Sequence, residues 1–334
     1  MKIGIIKPTE SVEPTGGVKM QGLMWQEGLQ NLGHTVELID FWKNHDWDSF
    51  DWIIILQFGG QFRTMTQMMR KVSRKLAIAP IIDPDWGHLK YKFFAKYWGF
   101  QRYLGLSSRF HDLYLNKKLF DLWLVRSEYE ASYVERCLDV QRSKIRIVPL
   151  QVRVPFCETV PPKEDFCFHA SRLAAKNKNV ERQIKAAIKY GYRLVLAGFL
   201  NGENERCWLN RLIDGHDNIT YVGTLTEEEL LDYYRRCKVF SLPSLTEGVG
   251  MVALEAAANG AEIVLTNDGA PKDYFQGRAE LVNPYSIDEI GLATKRLLER
   301  GKAQPELLQF MKDNYTSEKC SRKLADALNE FAER

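Results

Sequence analysis

The chain has 334 residues, about two domains' worth, with 45% hydrophobic and 27% charged residues and a formal net charge of +3. This is ordinary globular composition, and the near-neutral balance gives no reason to expect a nucleic-acid partner. Six cysteines, at 137, 157, 167, 207, 237 and 320, are scattered with no C-x-x-C pair, which predicts reduced, mostly buried thiols and a cytoplasmic protein.

Residues 1–7 are too short and too charged at their far end for a secretory leader, and no apolar run approaches the roughly 20 residues that span a membrane. Residues 2–6 read as a buried first strand, followed by a loop bounded by Pro8 and Pro14. Gly16 and Gly17 then open a helical pattern over 18–32. A glycine pair between strand and helix lets a phosphate approach the backbone, but the spacing is not G-x-G-x-x-G, so a dinucleotide reading is weak. Gly33-His34 turns into a second strand, with His34 a turn residue. Residues 51–57 predict a third strand ending at Gly59-Gly60, 64–77 a helix and 79–83 a short strand. Such alternation implies a parallel, doubly wound sheet whose ligands sit beyond the strands' carboxyl ends. Asp83, Asp85 and His88 are therefore candidates to face the crevice there, against the plainer reading of a surface loop. Residues 89–118 mix lysine and arginine with aromatics, and Asp112 is their one acid. Such a stretch can lie in an anionic membrane interface or grip a lipid diphosphate or polyanionic acceptor. The alternative is a helix whose aromatics pack on the sheet while its lysines reach into water. A strand over 121–127, a helix over 128–138 and a strand over 144–149 close the first series, and Pro161-Pro162 mark a linker.

The second series begins with a strand over 165–171, in which His169 reads as core. Arg172 follows, then Lys176-Asn-Lys178-Asn-Val180 into a helix ending near Tyr190. A guanidinium and an ammonium at the mouth of such a turn suit a diphosphate. Strands over 193–198 and 218–223 and a helix over 227–236 lead to an apolar strand over 239–242. Pro243-Ser-Leu-Thr246 breaks it, and Glu247-Gly-Val-Gly-Met251 leads into a helix through Glu255 that stops at Gly260. Gly248 and Gly250 leave the backbone bare at a helix start, where free N–H groups suit a phosphate or hydroxyls. Two carboxylates, Glu247 in the turn and Glu255 about a turn and a half on, can accept from paired hydroxyls. The plain alternative is a helix cap and an ordinary helix residue. A strand over 261–266 and helices over 287–300 and 317–334 complete the chain.

Pro243-Ser, Glu247-Gly-Val-Gly and Glu255-Ala-Ala-Ala-x-Gly together resemble the E-x7-E signature of retaining glycosyltransferase family 4, the glycosyl transferases group 1. The opening Gly16-Gly17 unit, Arg172-Leu173 with a following lysine, and the Asp268–Asp273 turn extend the likeness, with Asp273 in place of the usual glutamate. The resemblance implies a GT-B fold: two facing doubly wound Rossmann-like α/β domains with an interdomain cleft. It implies an acceptor-side domain at 1–155, a linker at 156–163, a nucleotide-sugar-binding domain at 164–308, and a helix over 309–334 crossing back to the first domain. It gives Glu247 the donor sugar and Glu255 the ribose hydroxyls. Arg172 and Lys178, with Lys176 the fallback, take the diphosphate, together with Gly16 and Gly17. The backbone of Gly248, Val249, Gly250 and Met251 meets sugar and phosphates, and Gly198, Val222 and Gly223 bound the base. Many members carry a histidine just past the fourth strand that contacts the donor sugar, which makes His88, Asp83 and Asp85 candidates for a sugar or acceptor contact; here a direct count puts Trp86 nearer that position than His88.

The implied activity is transfer of a hexosyl group, with retention, from a UDP- or GDP-linked sugar to a hydroxyl of a saccharide or lipid-linked acceptor. The setting is bacterial-type polysaccharide, glycolipid or glycoconjugate synthesis. Glu247, Arg172 and Lys178 are the expected catalytic group, with no metal and no cofactor; the family is described as front-face transfer, and no nucleophile is named. The alternatives are another enzyme on the same fold, such as an epimerase, or a non-catalytic nucleotide-sugar binder or partner subunit, which would bind without turnover. The expected location is cytoplasmic, with peripheral contact on the inner face of the membrane through 89–118.

Overall fold

The computed structural model describes residues 1–6, 17–59, 62–84, 86–98 and 108–332. Two compact units divide the chain: Met1–Gln151 with Ser317–Arg334, and Val152–Thr316.

The first unit is a six-stranded sheet of β1 (Lys2–Ile6), β2 (Thr35–Leu38), β3 (Trp52–Leu56), β4 (Leu76–Ala79), β5 (Leu122–Val125) and β6 (Ile145–Ile147), in the order β2-β1-β3-β4-β5-β6. Every pairing is parallel. The connecting helices are α1 (Gly17–Asn31), α2 (Phe62–Val72), α3 (His88–Tyr97) and α4 (Arg109–Asn116), then α5 (Glu128–Leu138). Helices cover both faces of a parallel sheet, so its strands are apolar throughout; all of β3 and β4 is buried. One expected boundary moves. The strand expected at 79–83 is Leu76–Ala79 and the preceding helix stops at Val72. Ser73 Oγ donates to Met69 O at 2.7 Å, binding the last turn's carbonyl. Pro80 has no N–H to extend the strand. Leu-Ala-Ile-Ala suits either element, and tertiary burial decides for the strand.

The second unit repeats the plan with β7 (Glu164–Ala170), α6 (Val180–Tyr190), β8 (Leu194–Ala197), α7 (Gly202–Ile213) and β9 (Ile219–Tyr221). The chain then forms α8 (Glu227–Arg236), β10 (Cys237–Leu242), α9 (Met251–Ala258), β11 (Glu262–Thr266), α10 (Pro271–Phe275), β12 (Glu280–Val282), α11 (Ile287–Arg300) and α12 (Glu306–Asn314). All pairings are again parallel, in the order β12-β11-β10-β7-β8-β9. The winding reverses between β7 and β10, and a ligand of such a sheet binds beyond the carboxyl ends of the strands at that point. Region 309–334, expected as one helix, holds the end of α12 and a separate α13 (Ser317–Ala332). Leu324, Leu328 and Phe331 of α13 share a core with Trp25 and Leu29 of α1. All six cysteines are free and four are buried; burial pushes the Cys237 and Cys320 thiols up to about 12.

Candidate functional site

The loops after β7 and β10 meet at the reversal. Asn179, in the left-handed conformation at φ 58°, ends a 3-10 turn over Lys176–Lys178. Its buried amide donates to Pro243 O at 2.9 Å and Pro284 O at 2.6 Å, and Leu245 N donates to Asn177 O at 2.8 Å. This lacing aims Lys178 at the β10 loop, where its Nζ lies 2.9 Å from Glu247 Oε2. Lys176 points elsewhere, into the rim of a cavity of about 640 Å³ that Trp208 and Ile287 also line. The geometry thus brings Lys178, rather than Lys176, to Glu247. Arg172, on the same loop, is exposed.

Glu247 is fixed from its far side as well. It forms a lone parallel bridge with Gly269, and Ala270 N donates to Glu247 O at 3.2 Å. A Cβ at Gly269, which sits at φ 100°, would lie 1.9 Å from Glu247 O. Gly250, left-handed at φ 75°, starts α9. Val249 is buried, while Gly248 and Met251 are half-buried. At the neighbouring strand ends, a Cβ at Gly198 would lie 1.7 Å from Ser171 O. Gly198 N donates to Gly223 O at 2.8 Å and Val222 N to Leu196 O at 2.9 Å. Gly198 is thus required by the packing of the Arg172 loop. Gly223 lines a cavity of about 430 Å³ with Phe199, Arg206 and Asn210.

Beneath the loops, His169 is fully buried. Its Nδ1 lies 2.9 Å from Ser241 O and its Nε2 2.6 Å from Ser171 Oγ, stitching β7 to β10. Burial lowers its pKa to about 4, so it is a neutral structural ring at pH 7.

Glu255, expected to accept from ligand hydroxyls, is instead closed off by protein groups. It is 2% exposed. Its Oε1 accepts from Arg153 Nε at 3.0 Å and its Oε2 from the Tyr234 hydroxyl at 3.1 Å. Burial pushes the Glu255 carboxyl above the usual range, and the bonds from Arg153 and Tyr234 oppose that shift. Arg153 also pairs with Glu227 at the start of α8. Sequence reading did not single out Arg153: it lies in an irregular stretch, 102 residues from Glu255, with no motif around it.

In the first unit, Gly17 is the exposed first residue of α1, while Gly16 and Asp85 lie outside the described residues. Asp83 forms a two-point ion pair with Arg126, at 2.5 and 3.2 Å. Buried Arg126 in turn holds buried Glu130, Nε to Oε2 at 2.9 Å. His88 stacks on Tyr133 with ring centroids 4.1 Å apart, and its Nε2 lies 2.8 Å from Ser132 Oγ. Both candidates thus have structural partners on or beside α5, which their place in the loop did not foretell.

Residues 155–315 match the family described as Glycosyl transferases group 1, a span that includes Arg172, Lys178, Glu247 and Glu255 but not Arg153. The chain resembles the group 1 glycosyltransferases. It is 25% identical over 228 residues to the serotype-specific mannosyltransferase WbdA of Escherichia coli, an alignment covering 60% of this chain and 27% of that protein. The chain therefore spans about a quarter of the length of the curated relatives it first matches. A glycosyltransferase from Rickettsia africae superposes with a TM-score of 0.73 at 11% identity, over 100% of this chain and 99% of that one. Trehalose-6-phosphate from E. coli bound with UDP-2-fluoro glucose gives 0.69 at 14% identity, over 98% and 99%. The architecture is GT-B, with two Rossmann-like domains.

Proposed function

We propose that this chain is a retaining, metal-independent glycosyltransferase that moves a hexosyl group from a UDP- or GDP-linked sugar to a hydroxyl of a saccharide or lipid-linked acceptor. The second unit binds the donor and the first recognises the acceptor. The observation that carries this reading is the Lys178–Glu247 pair, on the loop that also bears Arg172, at the β7/β10 reversal. Arg172 and Lys178 stabilise the negative charge that develops on a departing diphosphate, and preorganised donors of this kind are commonly the largest catalytic contribution. Glu247, which holds Lys178, accepts from donor-sugar hydroxyls. Glu255 takes the ribose by exchanging its bonds from Arg153 and Tyr234 for ribose hydroxyls. The backbone of Gly248–Met251 meets sugar and phosphates, and Gly198, Val222 and Gly223 bound the base. The mannosyltransferase relatives favour polysaccharide synthesis, and the neighbour bound with UDP-2-fluoro glucose favours a nucleotide-sugar donor.

The test is a thermal-shift panel of nucleoside diphosphates and nucleotide sugars. A ligand at 100 times its Kd adds about 2.7 kcal/mol. Transfer is then read by NMR of the product's anomeric configuration, in wild type and in Arg172→Ala, where a loss on the order of 100-fold or more is expected. Binding without turnover would move the reading to a non-catalytic nucleotide-sugar binder; no shift with any ligand would remove the donor site.

A further inference from the structure

The α3 helix is turned the wrong way for a surface helix. Its buried side is Tyr91 and Ala95, which pack into the core of the first unit. At about 100° per residue, Leu89, Phe93 and Tyr97 form one stripe centred about 180° from that side. Charged residues belong on such a face, yet Leu89 is 87%, Phe93 51% and Tyr97 64% exposed. The aromatics support one another, with Phe93 5.9 Å from Tyr97, 5.8 Å from Phe94 and 6.4 Å from Trp98. Lysines flank the stripe on both sides. Lys90 lies over Trp86 at 4.7 Å. On the other side Lys92, Lys96 and Lys117 share one acid, Asp139, at 3.9, 2.6 and 3.6 Å. Three ammonium groups against one carboxylate leave that edge positive.

We propose that this face docks the first unit on an anionic lipid bilayer, with Leu89, Phe93 and Tyr97 entering the interface and the lysines meeting lipid phosphates. An apolar stripe between cationic edges is the arrangement by which a helix lies in the membrane plane. Each lysine near a negative surface contributes about fivefold in partition. No helix among the described residues is long and apolar enough to cross a membrane, so the contact is a surface one. A protein partner would need acids matched to this rim; anionic headgroups supply the charge without such matching.

The experiment is sedimentation of the full chain with vesicles of phosphatidylcholine alone and of phosphatidylcholine with phosphatidylglycerol. No nucleotide is present, so the result is independent of the donor-site reading. Wild type is expected to partition onto the anionic vesicles and weakly onto the neutral ones. The Leu89→Ser/Phe93→Ser/Tyr97→Ser variant is expected to lose binding to both while keeping the folded circular-dichroism spectrum, because none of the three side chains belongs to the core of the first unit. Lys90→Gln/Lys92→Gln/Lys96→Gln is expected to lose only the anionic preference. The proposal is overturned by wild type that stays in the supernatant, by either variant binding anionic vesicles as wild type does, or by a wild-type dimer that becomes monomeric in the serine variant and never binds vesicles.

Discussion

At the scale of single residues, Arg153 is the group on which Glu255 most depends. A carboxylate 2% exposed is stable as an ion only if its oxygens are paired, and Arg153 and Tyr234 occupy one oxygen each. Arg153→Ala leaves the hydroxyl of Tyr234 and removes the charge. The sign with pH follows from the direction of the shift. Burial already raises the Glu255 pKa, and losing the guanidinium raises it further. Above that pKa the variant keeps a poorly paired buried ion; below it the neutral acid needs no cation. The variant is therefore expected to be about 1–3 kcal/mol less stable than wild type at pH 8, with the deficit closing as pH falls through the carboxyl's range. Urea denaturation at a series of pH values reads this. Burial lowers the His169 pKa to about 4, and its partners Ser241 and Ser171 are untouched by the substitution, so its contribution cancels in the difference. Arg153→Lys should recover part of the loss. A deficit that is flat with pH would mean that Arg153 acts through packing alone.

At the scale of elements, the site is a meeting of loops whose positions are set by glycines. Gly269 admits Glu247 O to within 1.9 Å of where a Cβ would stand, at a φ of 100°. An alanine there meets backbone, which cannot rotate away. Gly269→Ala is expected to destabilise the second unit by at least about 1–2 kcal/mol from strain at positive φ alone. It should weaken nucleoside-diphosphate binding more than a control at Gly215, also left-handed but with open space around it. Equal effects at the two positions, in calorimetric titration and thermal melts, would show that Gly269 matters only for its φ. Much of this level was legible beforehand. Buried parallel strands such as Trp52–Leu56 announce themselves as apolar runs, and Glu247, Gly250 and Glu255 stand in one short motif. The motif located Glu255, but it could not show its burial, because the covering groups come from α8 and from Arg153 far along the chain. Nor could the turn at 176–178 be resolved between two lysines until Asn179's bonds to Pro243 and Pro284 fixed its direction.

At the scale of the whole molecule, the first unit is assembled from two stretches far apart in sequence, since Ser317–Arg334 belongs with Met1–Gln151. The α13 helix adds Leu324, Leu328 and Phe331 to a core that holds Ile3, Ile5, Ile54 and Leu124 of the sheet. Its closeness to α1 is set at Gly28, where a Cβ would lie 1.8 Å from Ser321 Oγ. The first unit therefore cannot complete its core until residues 317–332 are made, whereas the second lies within one continuous stretch, Val152–Thr316. Leu328 is fully buried. Replacing it with alanine removes apolar contact and leaves a cavity, a change that typically costs about 2–5 kcal/mol. The loss should fall on one unit only. Amide hydrogen exchange reports opening free energies segment by segment. In Leu328→Ala, protection is expected to drop across β1, β3, β4 and β5 and to stay at wild-type values across β7, β8, β10 and β11. The nucleoside-diphosphate affinity, which the second unit is proposed to carry, should also be unchanged. Loss of protection in both sheets together would mean that the two units open as one cooperative block, and the independence inferred from their separate cores would fail.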